Sequence, residues 1–200
     1  ILSSPDSLVP IYGWYDSSDH TIYYYTDAEV VAARSSLVYL FRYMTSLNDI
    51  SGLSGWDTSK VTDMSFMFYR SSSITDLSSL AGWDTSRVMD MRYMFSEATS
   101  LADISGLSGW DTSRIFSTDH MFANTAITNT SALAGWNTSK VTDSSYMFED
   151  CRSLANLDLS SFDLSKLKEY EDMFYGCYEL ANVKTPKKNN KQISIAYSMK

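Results

Sequence analysis

The sequence predicts a solenoid, in which short repeats stack on one another along a single axis. The first observation is the string Gly-Trp-Asp-Thr-Ser, which recurs with a period of 26 or 27 residues. The second is a Met-Phe pair that recurs with the same period, so two independent columns agree. The columns are Trp56, Trp83, Trp110, Trp136 and Phe162, and Phe68, Phe95, Phe122, Phe148 and Phe174.

Each repeat is too small to fold alone. It supplies about seven large apolar side chains at fixed positions, separated mostly by Ser, Thr, Asp, Lys and Arg. Burying seven such side chains releases less free energy than ordering a backbone of that length costs. We therefore expect each repeat to be stable only as one rung of a stack.

Within a rung the pattern predicts one short strand and one turn. Apolar and polar residues alternate at Leu157-Asp158-Leu159 and, less clearly, around Ile50 and Leu77, which is typical of strands. Strands at equivalent positions in successive rungs would form a parallel sheet along the solenoid. A short helical turn is expected at residues 63–68.

The two ends of the chain differ from the repeats, as capping segments do. Residues 1–36 are expected to form an N-terminal cap with a Tyr-rich β-hairpin at 10–26. Residues 37–183 hold five to six repeats of 26–27 residues. Residues 184–200 are expected to form a closing strand, at 192–199, and a basic tail.

Composition and charge exclude several classes of protein. The 200 residues include 16 Lys and Arg and 24 Asp and Glu, which gives a net charge of −8. An acidic body repels phosphate backbones, so nucleic-acid binding is not expected. No apolar run approaches the roughly 18 residues that a membrane helix needs. The five Lys after position 183 are interpreted as a solvated chain end rather than a contact to an anionic surface.

The repeat string also indicates a family. The runs Gly-Trp-Asp-Thr-Ser-Lys-Val-Thr-Asp-Met-Ser-Phe-Met-Phe (55–68) and Met-Phe-Tyr-Gly-Cys-Tyr-Glu-Leu (173–180) resemble the repeats of BspA-type leucine-rich-repeat surface proteins. The resemblance covers about residues 40–183 and implies a right-handed leucine-rich-repeat solenoid. It further implies a bacterial protein, secreted or at the cell surface, that acts in adhesion or protein binding without catalytic residues.

Two cysteines occupy equivalent positions in neighbouring rungs. Cys151 and Cys177 are 26 residues apart, and adjacent strands lie about 5 Å apart, within reach of a disulfide. The alternative is a pair of free thiols that serve as small buried packing groups. We favour free thiols, and the sequence leaves both open.

Two columns of charged or amide residues have a structural and a functional interpretation. A basic column three residues after Asp57 and its equivalents is either a strip for a partner or one side of a neutralised ladder. A column from Asp49 to Asn182 would either bind calcium or accept hydrogen bonds from turns. We favour the structural interpretation for both. The columns are Lys60, Arg87, Arg114, Lys140 and Lys166, and Asp49, Asp76, Asp103, Asn129, Asn156 and Asn182.

Enzyme and metal sites are not expected. The sequence has eight Gly, no Gly-rich phosphate loop and no Gly-x-Ser-x-Gly. Its carboxylates follow the repeat period, whereas catalysis usually needs a constellation that occurs once. His20 and His120 are isolated in the sequence and no Cys-x-x-Cys is present, so we predict no catalytic residue, metal site or cofactor.

Three functions remain. The first is a non-enzymatic recognition or adhesion module that binds a protein of a host or neighbouring cell through varied residues of the later rungs, for which we select Glu149, Asp158, Tyr175 and Lys184. The second is a glycan-binding module that uses hairpin aromatics such as Trp14 and Tyr24. The third is a passive spacer. The expected location is extracellular or at the cell surface, with any signal or anchor outside this sequence.

Overall fold

The computed structural model describes residues 12–16, 18, 21–25, 30–188 and 191–198. The backbone hairpin predicted at 10–26 is present in the described part, where two strands pair antiparallel with Tyr12 opposite Tyr25. The strands are β1 (Tyr12–Asp16), β2 (Thr21–Tyr25), β3 (Val31–Ala32), β4 (Trp56–Asp57), β5 (Asn156–Asp158) and β6 (Asn182–Lys184). The helices are the 3-10 turns Ser51–Leu53, Ser78–Leu80, Ser105–Leu107 and Ser131–Gly135, and α1 (Lys191–Ser198).

Successive repeats are stacked in the register of the sequence period. The backbone N–H of Phe68 donates to the carbonyl oxygen of Met94 (2.9 Å), and Phe95 donates in the same way to Met121 (3.0 Å). Strands β3 and β4 pair in parallel, as do β5 and β6. We number the rungs 1 to 6 by their turn segments, which are residues 36–43, 63–70, 90–97, 117–124, 143–150 and 169–176.

The turn segments carry most of the hydrogen bonds between rungs. Alternate peptide groups point in two directions, so that one N–H bonds to the next rung and the following N–H closes a turn within its own rung. In rung 2, Phe66 donates to Arg92 (3.0 Å), whereas Met67 donates to Met64 (3.3 Å). This alternation pairs the backbone groups of a segment that is mostly buried, as buried peptides require.

The helical turn predicted at 63–68 is wrong, because two residues of each turn segment have positive φ. Phe66 has a φ of 58° and Arg70 a φ of 62°, which place them in the left-handed region. A positive φ at the third position of a four-residue turn bends the chain back without starting a helix. The two columns are Tyr39, Phe66, Tyr93, His120, Tyr146 and Asp172, and Tyr43, Arg70, Glu97, Asn124, Asp150 and Gly176.

The core is a stack of the repeated apolar columns. Phe rings of neighbouring rungs lie parallel, with centroids 5.2–6.2 Å apart. The Met before each Phe of rungs 2 to 6, and the branched residue five positions after each Trp of the repeats and after Phe162, are buried beside this stack. The ring column is Phe41, Phe68, Phe95, Phe122, Phe148 and Phe174. The columns selected from the sequence are therefore the core.

Three side chains of the Gly-Trp-Asp-Thr-Ser string form hydrogen bonds, shown here by its second copy. The indole N–H of Trp83 donates to the carbonyl oxygen of Leu53 in the previous rung (2.9 Å). The carboxylate of Asp84 accepts the N–H of Ser86 (2.9 Å), which closes a local turn. The hydroxyl of Thr85 donates forward to the carbonyl of Asp111 (3.1 Å). The string therefore connects each rung to both of its neighbours by side-chain hydrogen bonds.

The strand predicted in every rung forms only at β5 and β6 within the described residues. Elsewhere a 3-10 turn begins at that point, as at Ser78, and Asp76 and Asp103 share an isolated parallel bridge. The carboxylate of Asp76 accepts the N–H of Ser78 (2.7 Å) and so turns the chain out of the strand. The residue two positions after Asn156 is Asp158 rather than Ser, and there the Asn182 side chain donates to the Asn156 side chain (2.9 Å).

The closing strand predicted at 192–199 is also wrong, because this segment forms α1 over Lys191–Ser198. Ile193 and Ala196 are buried against the terminal core. The hydroxyl of Tyr197 donates to the carbonyl oxygens of Leu180 (3.2 Å) and Ala181 (3.0 Å). The side chains that pack follow helical spacing rather than the two-residue alternation of a strand. The leucine-rich-repeat class itself stays a prediction.

Candidate functional site

A column of rings runs along the turn segments, two residues before each core Phe. Its ring centroids are 5.2 Å apart between Tyr39 and Phe66, 4.5 Å between Phe66 and Tyr93, and 4.2 Å between Tyr93 and His120. His120 and Tyr146 continue the stack at 4.4 Å. We call these five residues the aromatic ladder, and the surface of the six turn segments the turn face.

The ladder stands at the first left-handed position of each turn segment. Left-handed backbone is unfavourable for bulky residues by about 1–2 kcal/mol each. Stacking with the rungs above and below offsets this, since each aromatic pair adds about 0.5–1.5 kcal/mol. The rings are half-buried apart from Tyr39, which is 50% exposed. Their flat stacking and partial exposure give the turn face a continuous aromatic surface.

Rungs 1 and 2 add cationic groups to this surface. The guanidinium carbon of Arg42 lies 4.4 Å from the ring centroid of Tyr43 and 5.5 Å from that of Tyr69. Arg70 lies 5.2 Å from the Tyr69 centroid. Cations at these distances are attracted to the ring faces. Tyr and Arg, the residue types concentrated here, are enriched at the energetic centres of protein interfaces.

The carboxylates of rung 3 are paired with arginines of rungs 2 and 3. Glu97 accepts from the guanidinium of Arg70 (2.8 Å) and from the Tyr69 hydroxyl (2.9 Å). Burial, followed by the bond to Glu97, raises the pKa of Tyr69. Asp90 is buried and forms an ion pair with Arg92. These groups therefore add little net charge to the turn face.

His120 lies in the aromatic ladder and contacts three polar side chains, although no other His or Cys is near it in the sequence. Its Nδ1 lies 2.6 Å from a carboxylate oxygen of Asp119, and its Nε2 lies 3.4 Å from the hydroxyl of Tyr93 and 3.8 Å from Glu149. Burial raises the pKa of Tyr93 to about 12, with the charge of Asp119 adding to the effect. Burial also raises the pKa of Glu149, and His120 opposes that shift.

The charge of the turn face changes steadily from one end to the other. Counted from the sequence, the turn segments of rungs 1 to 6 carry +1, 0, −1, −1, −3 and −3 with His neutral. Nearly all of the net charge of −8 therefore lies in these six segments. The charged residues are Arg42, Asp63, Arg70, Asp90, Arg92, Glu97, Asp119, Asp143, Glu149, Asp150, Glu169, Glu171 and Asp172.

This arrangement brings ring faces and carboxylates together on one surface. Ring faces attract ammonium and guanidinium groups, and the nearby carboxylates can accept their hydrogen bonds. Across the described ranges, no three His, Cys, Asp or Glu side chains come together to hold a metal ion. Nor does a helix of the described residues have the length and apolar character to cross a membrane.

Two of the four partner-contact residues selected from the sequence lie on the turn face. Glu149 is beside His120, and Tyr175 in rung 6 is 51% exposed. Asp158 and Lys184 lie instead on β5 and β6, where they form a salt bridge with each other (3.0 Å). The structure thus separates the selected set into two pairs.

The hairpin residues selected for glycan binding are described only by their backbone. Trp14 pairs with Tyr23 and Tyr24 pairs with Gly13 between β1 and β2. The side chains of Trp14 and Tyr24 lie outside the described part of the structure. The glycan-binding hypothesis for these two residues is therefore untested.

Two of the three remaining columns are structural. Cys151 and Cys177 are buried and not joined by a disulfide, which agrees with the interpretation favoured from the sequence. The side chains of Asp49, Asp103 and Asn129 each accept the N–H of a Ser two residues later, at 2.8 Å, as the turn interpretation predicted. The basic column from Lys60 to Lys166 is exposed. Its members make no ion pair within the described residues, so the neutralised ladder favoured from the sequence does not form. The neighbouring aspartates close turns instead, as Asp84 does by accepting the N–H of Ser86.

The aromatic ladder was not predicted, although the sequence contains a signal for it. Reading the position two residues before each core Phe gives an aromatic residue in five rungs of six and Asp172 in the last. The period alone does not say which columns point outward, because a Tyr or Phe column is more often core.

Comparison with known proteins assigns the family. Residues 35–125 and 102–199 both match the family described as "Mycoplasma protein of unknown function, DUF285". The chain belongs to this family. Together the two DUF285 matches include all six turn segments. No curated protein and no solved structure matches the chain.

Proposed function

We propose that this DUF285 protein is a non-enzymatic recognition module that binds a protein of a host or neighbouring cell at the cell surface. Within that proposal, its repeats are of the BspA-type leucine-rich-repeat class. The module acts outside the cell, and the turn face is the surface that contacts the partner.

The observation that carries the proposal is the contrast between buried and outer positions of one repeat. The buried Met-Phe pair is kept in rungs 2 to 6, whereas the residue after the Phe changes from rung to rung. A spacer needs only the buried columns. The position after the Phe is buried at Ser96 and Ala123. In the other rungs it reaches the surface, with Arg42 and Tyr69 at one end and Glu149 and Tyr175 at the other, and such Tyr and Arg residues are typical of interface centres.

A binding screen tests this function. The purified chain is titrated over immobilised matrix proteins, serum proteins and mucin glycans, and saturable binding to a protein is expected. Tyr175→Ala should weaken that binding about tenfold, as removal of an interface Tyr does. Phe116→Ala is the matched control, because Phe116 is also an exposed ring (43%) but lies outside the turn segments.

The other outcomes separate the alternatives. Binding to glycans alone, lost on changing Trp14 or Tyr24, would move the site to the hairpin and contradict the turn face. Equal binding by Tyr175→Ala and Phe116→Ala variants would place the contact elsewhere. Absence of saturable binding across the panel would favour a passive spacer.

A further inference from the structure

We propose that the turn face binds an extended, Lys- or Arg-rich polypeptide segment of the partner protein, laid along the aromatic ladder with its cations over rungs 4 to 6. This inference rests on the proposed function and specifies the chemistry of the partner. It follows from three properties of the turn face: its charge gradient, its unpaired carboxylates and its exposed rings.

The charge gradient of the turn face would both attract a cationic segment and set the direction in which it binds. The turn segments change from +1 in rung 1 to −3 in rungs 5 and 6. A surface of one sign attracts an oppositely charged partner over a distance, and a graded surface also orients it. A segment with its cations clustered at one end therefore docks in one direction along the stack.

The carboxylates of rung 3 are ion-paired, whereas most of those in rungs 5 and 6 are left for a partner. Glu97 binds Arg70 and Asp90 binds Arg92. Within the described ranges, the carboxylate of Asp63 in rung 2 accepts hydrogen bonds from Ser65 alone. In rungs 5 and 6 only Asp150 has a guanidinium partner among the described residues, at 3.2 Å from Arg152. The carboxylates of these two rungs without a Lys or Arg partner in the described ranges are Asp143, Glu149, Glu169, Glu171 and Asp172.

The carboxylates of rungs 4 to 6 also lie close enough to repel one another. Next to burial, the charges of Asp150, Asp172 and Asp119 keep the pKa of Glu149 raised. Burial, followed by the charges of Glu171 and Asp172, also raises the pKa of the Tyr146 hydroxyl. An ammonium or guanidinium group placed among them relieves this repulsion and gains charge-assisted hydrogen bonds.

The rings supply the second part of the binding site and set its spacing. An extended chain in the polyproline II conformation advances about 3.1 Å per residue and points every third side chain to the same face. Rungs are about 4.8 Å apart, so every third residue meets every second rung. Tyr146 and the exposed Tyr175 offer ring surface beside the carboxylates of the last two rungs. Cations held between a ring and a carboxylate gain from both.

The test uses an eight-residue peptide with Lys at positions 1 and 4 and Ser and Thr elsewhere, because eight such residues match the length of six rungs and the two Lys lie two rungs apart. Its affinity for the full chain is measured by fluorescence anisotropy in 50 mM and 300 mM NaCl. The triple variant Glu149→Gln, Glu171→Gln, Asp172→Asn is expected to bind about tenfold more weakly at low salt, because both Lys lose the carboxylates that they contact. Asn is a suitable replacement at position 172, because it tolerates the positive φ found there.

A matched control removes the same charge from another part of the stack. In the variant Asp76→Asn, Asp103→Asn, Asp111→Asn, each position receives the residue that the same columns carry at Asn129, Asn156 and Asn137. Its affinity is expected to stay within twofold of the parent. Circular dichroism and urea midpoints establish that both triple variants are folded.

Equal weakening by both triple variants would mean attraction to net charge alone and would overturn the proposal. So would equal binding of a peptide with Glu in place of Lys, or a Tyr146→Ala variant with undiminished affinity. Tighter binding of a peptide with the sequence of residues 184–200 would make a second copy of this chain the occupant. A protein from the binding screen that binds the turn-face triple variant and the parent equally would preserve the recognition function and overturn the basic-segment inference.

Discussion

The thiol of Cys177 donates a hydrogen bond of 2.8 Å to the backbone carbonyl oxygen of Phe148, in the preceding rung. Cys151 makes the same bond to Phe122 (3.1 Å), and the Ser71 hydroxyl makes it to Phe41 (2.6 Å). All three side chains are buried. The position therefore suits a small side chain that donates to a buried carbonyl, which explains Cys here without a disulfide.

This relationship predicts different effects for two small replacements of Cys177. Cys177→Ser keeps the donor and should leave the urea midpoint close to that of the parent. Cys177→Ala removes the donor and a buried sulfur, and it should cost about 1 kcal/mol, the typical value for one hydrogen bond. Urea unfolding followed by Trp fluorescence measures both. A Ser variant less stable than the Ala variant would contradict the role assigned to the bond.

Gly106 marks a close approach between two rungs. A Cβ built there would lie 2.1 Å from the carbonyl oxygen of Leu77, a backbone atom that cannot move without separating the rungs. Gly106→Ala should therefore destabilise the chain by about 1–3 kcal/mol, as overpacking does. Gly82→Ala is the control, since a Cβ at Gly82 meets nothing within 4 Å. Equal urea midpoints for the two variants would exclude the close approach.

Trp110 links two rungs through its side chain as well as through packing. It is buried, and its indole N–H donates to the carbonyl oxygen of Leu80 (3.0 Å). Phe fills the same column at Phe162, so Trp110→Phe should fold but lose the bond and some packing. We expect a loss of about 1–3 kcal/mol by urea unfolding. Tyr178→Phe, at a ring that is 70% exposed, should be neutral, and a Trp110→Phe variant as stable as this control would contradict the prediction.

Acid should destabilise the protein through the turn aspartates. The Ser160 hydroxyl and N–H, and then Lys184, lower the pKa of Asp158 to about 2 from an ordinary value of 3.8. A carboxyl with a lowered folded-state pKa stabilises the protein above its unfolded pKa and loses that contribution as pH falls. The urea midpoint should therefore decrease between about pH 4 and pH 2.

Asp158→Asn tests the contribution of this one group. The amide oxygen can still accept from Ser160 but does not titrate, so the variant should lose less stability than the parent over that pH range. Ser residues lower the pKa values of four other aspartates in the same way, Asp57, Asp84, Asp111 and Asp163. Part of the decrease in the urea midpoint should therefore persist in the variant. Identical acid dependence in the variant and the parent would contradict the shift at Asp158.

Predictability differed among the elements because they depend on different interactions. The buried columns could be predicted, since an apolar position repeated at one period has to face the shared core. The 3-10 turns at Ser51 and Ser78 were missed although their signal is local: each has Asp two residues earlier, and its carboxylate captures the Ser N–H. The alternation of apolar residues favours a strand at these positions, whereas the Asp-x-Ser spacing favours a turn. The hydrogen bond from the Ser N–H to the Asp carboxylate stabilises the turn.

The candidate site was predicted in part. Glu149 and Tyr175 were selected because exposed residues vary in the later rungs, and both lie on the turn face. Asp158 and Lys184 satisfied the same criterion but pair with each other on β5 and β6. The contacts of His120 could not be predicted, because Tyr93 and Glu149 belong to neighbouring rungs and are 27 and 29 residues away in the sequence.

The sequence by itself determined the period, the buried columns and the dependence of each rung on its neighbours, because these follow from the spacing of apolar residues. Only the tertiary structure decided that the position before each Met-Phe pair is left-handed and outward, and that the C-terminal segment is a helix. Both outcomes depend on contacts with other rungs. Stacked rings such as those of Phe66 and Tyr93 favour the first, and burial of Ile193 and Ala196 against the terminal core favours the second. Such contacts exist only after the rungs have stacked.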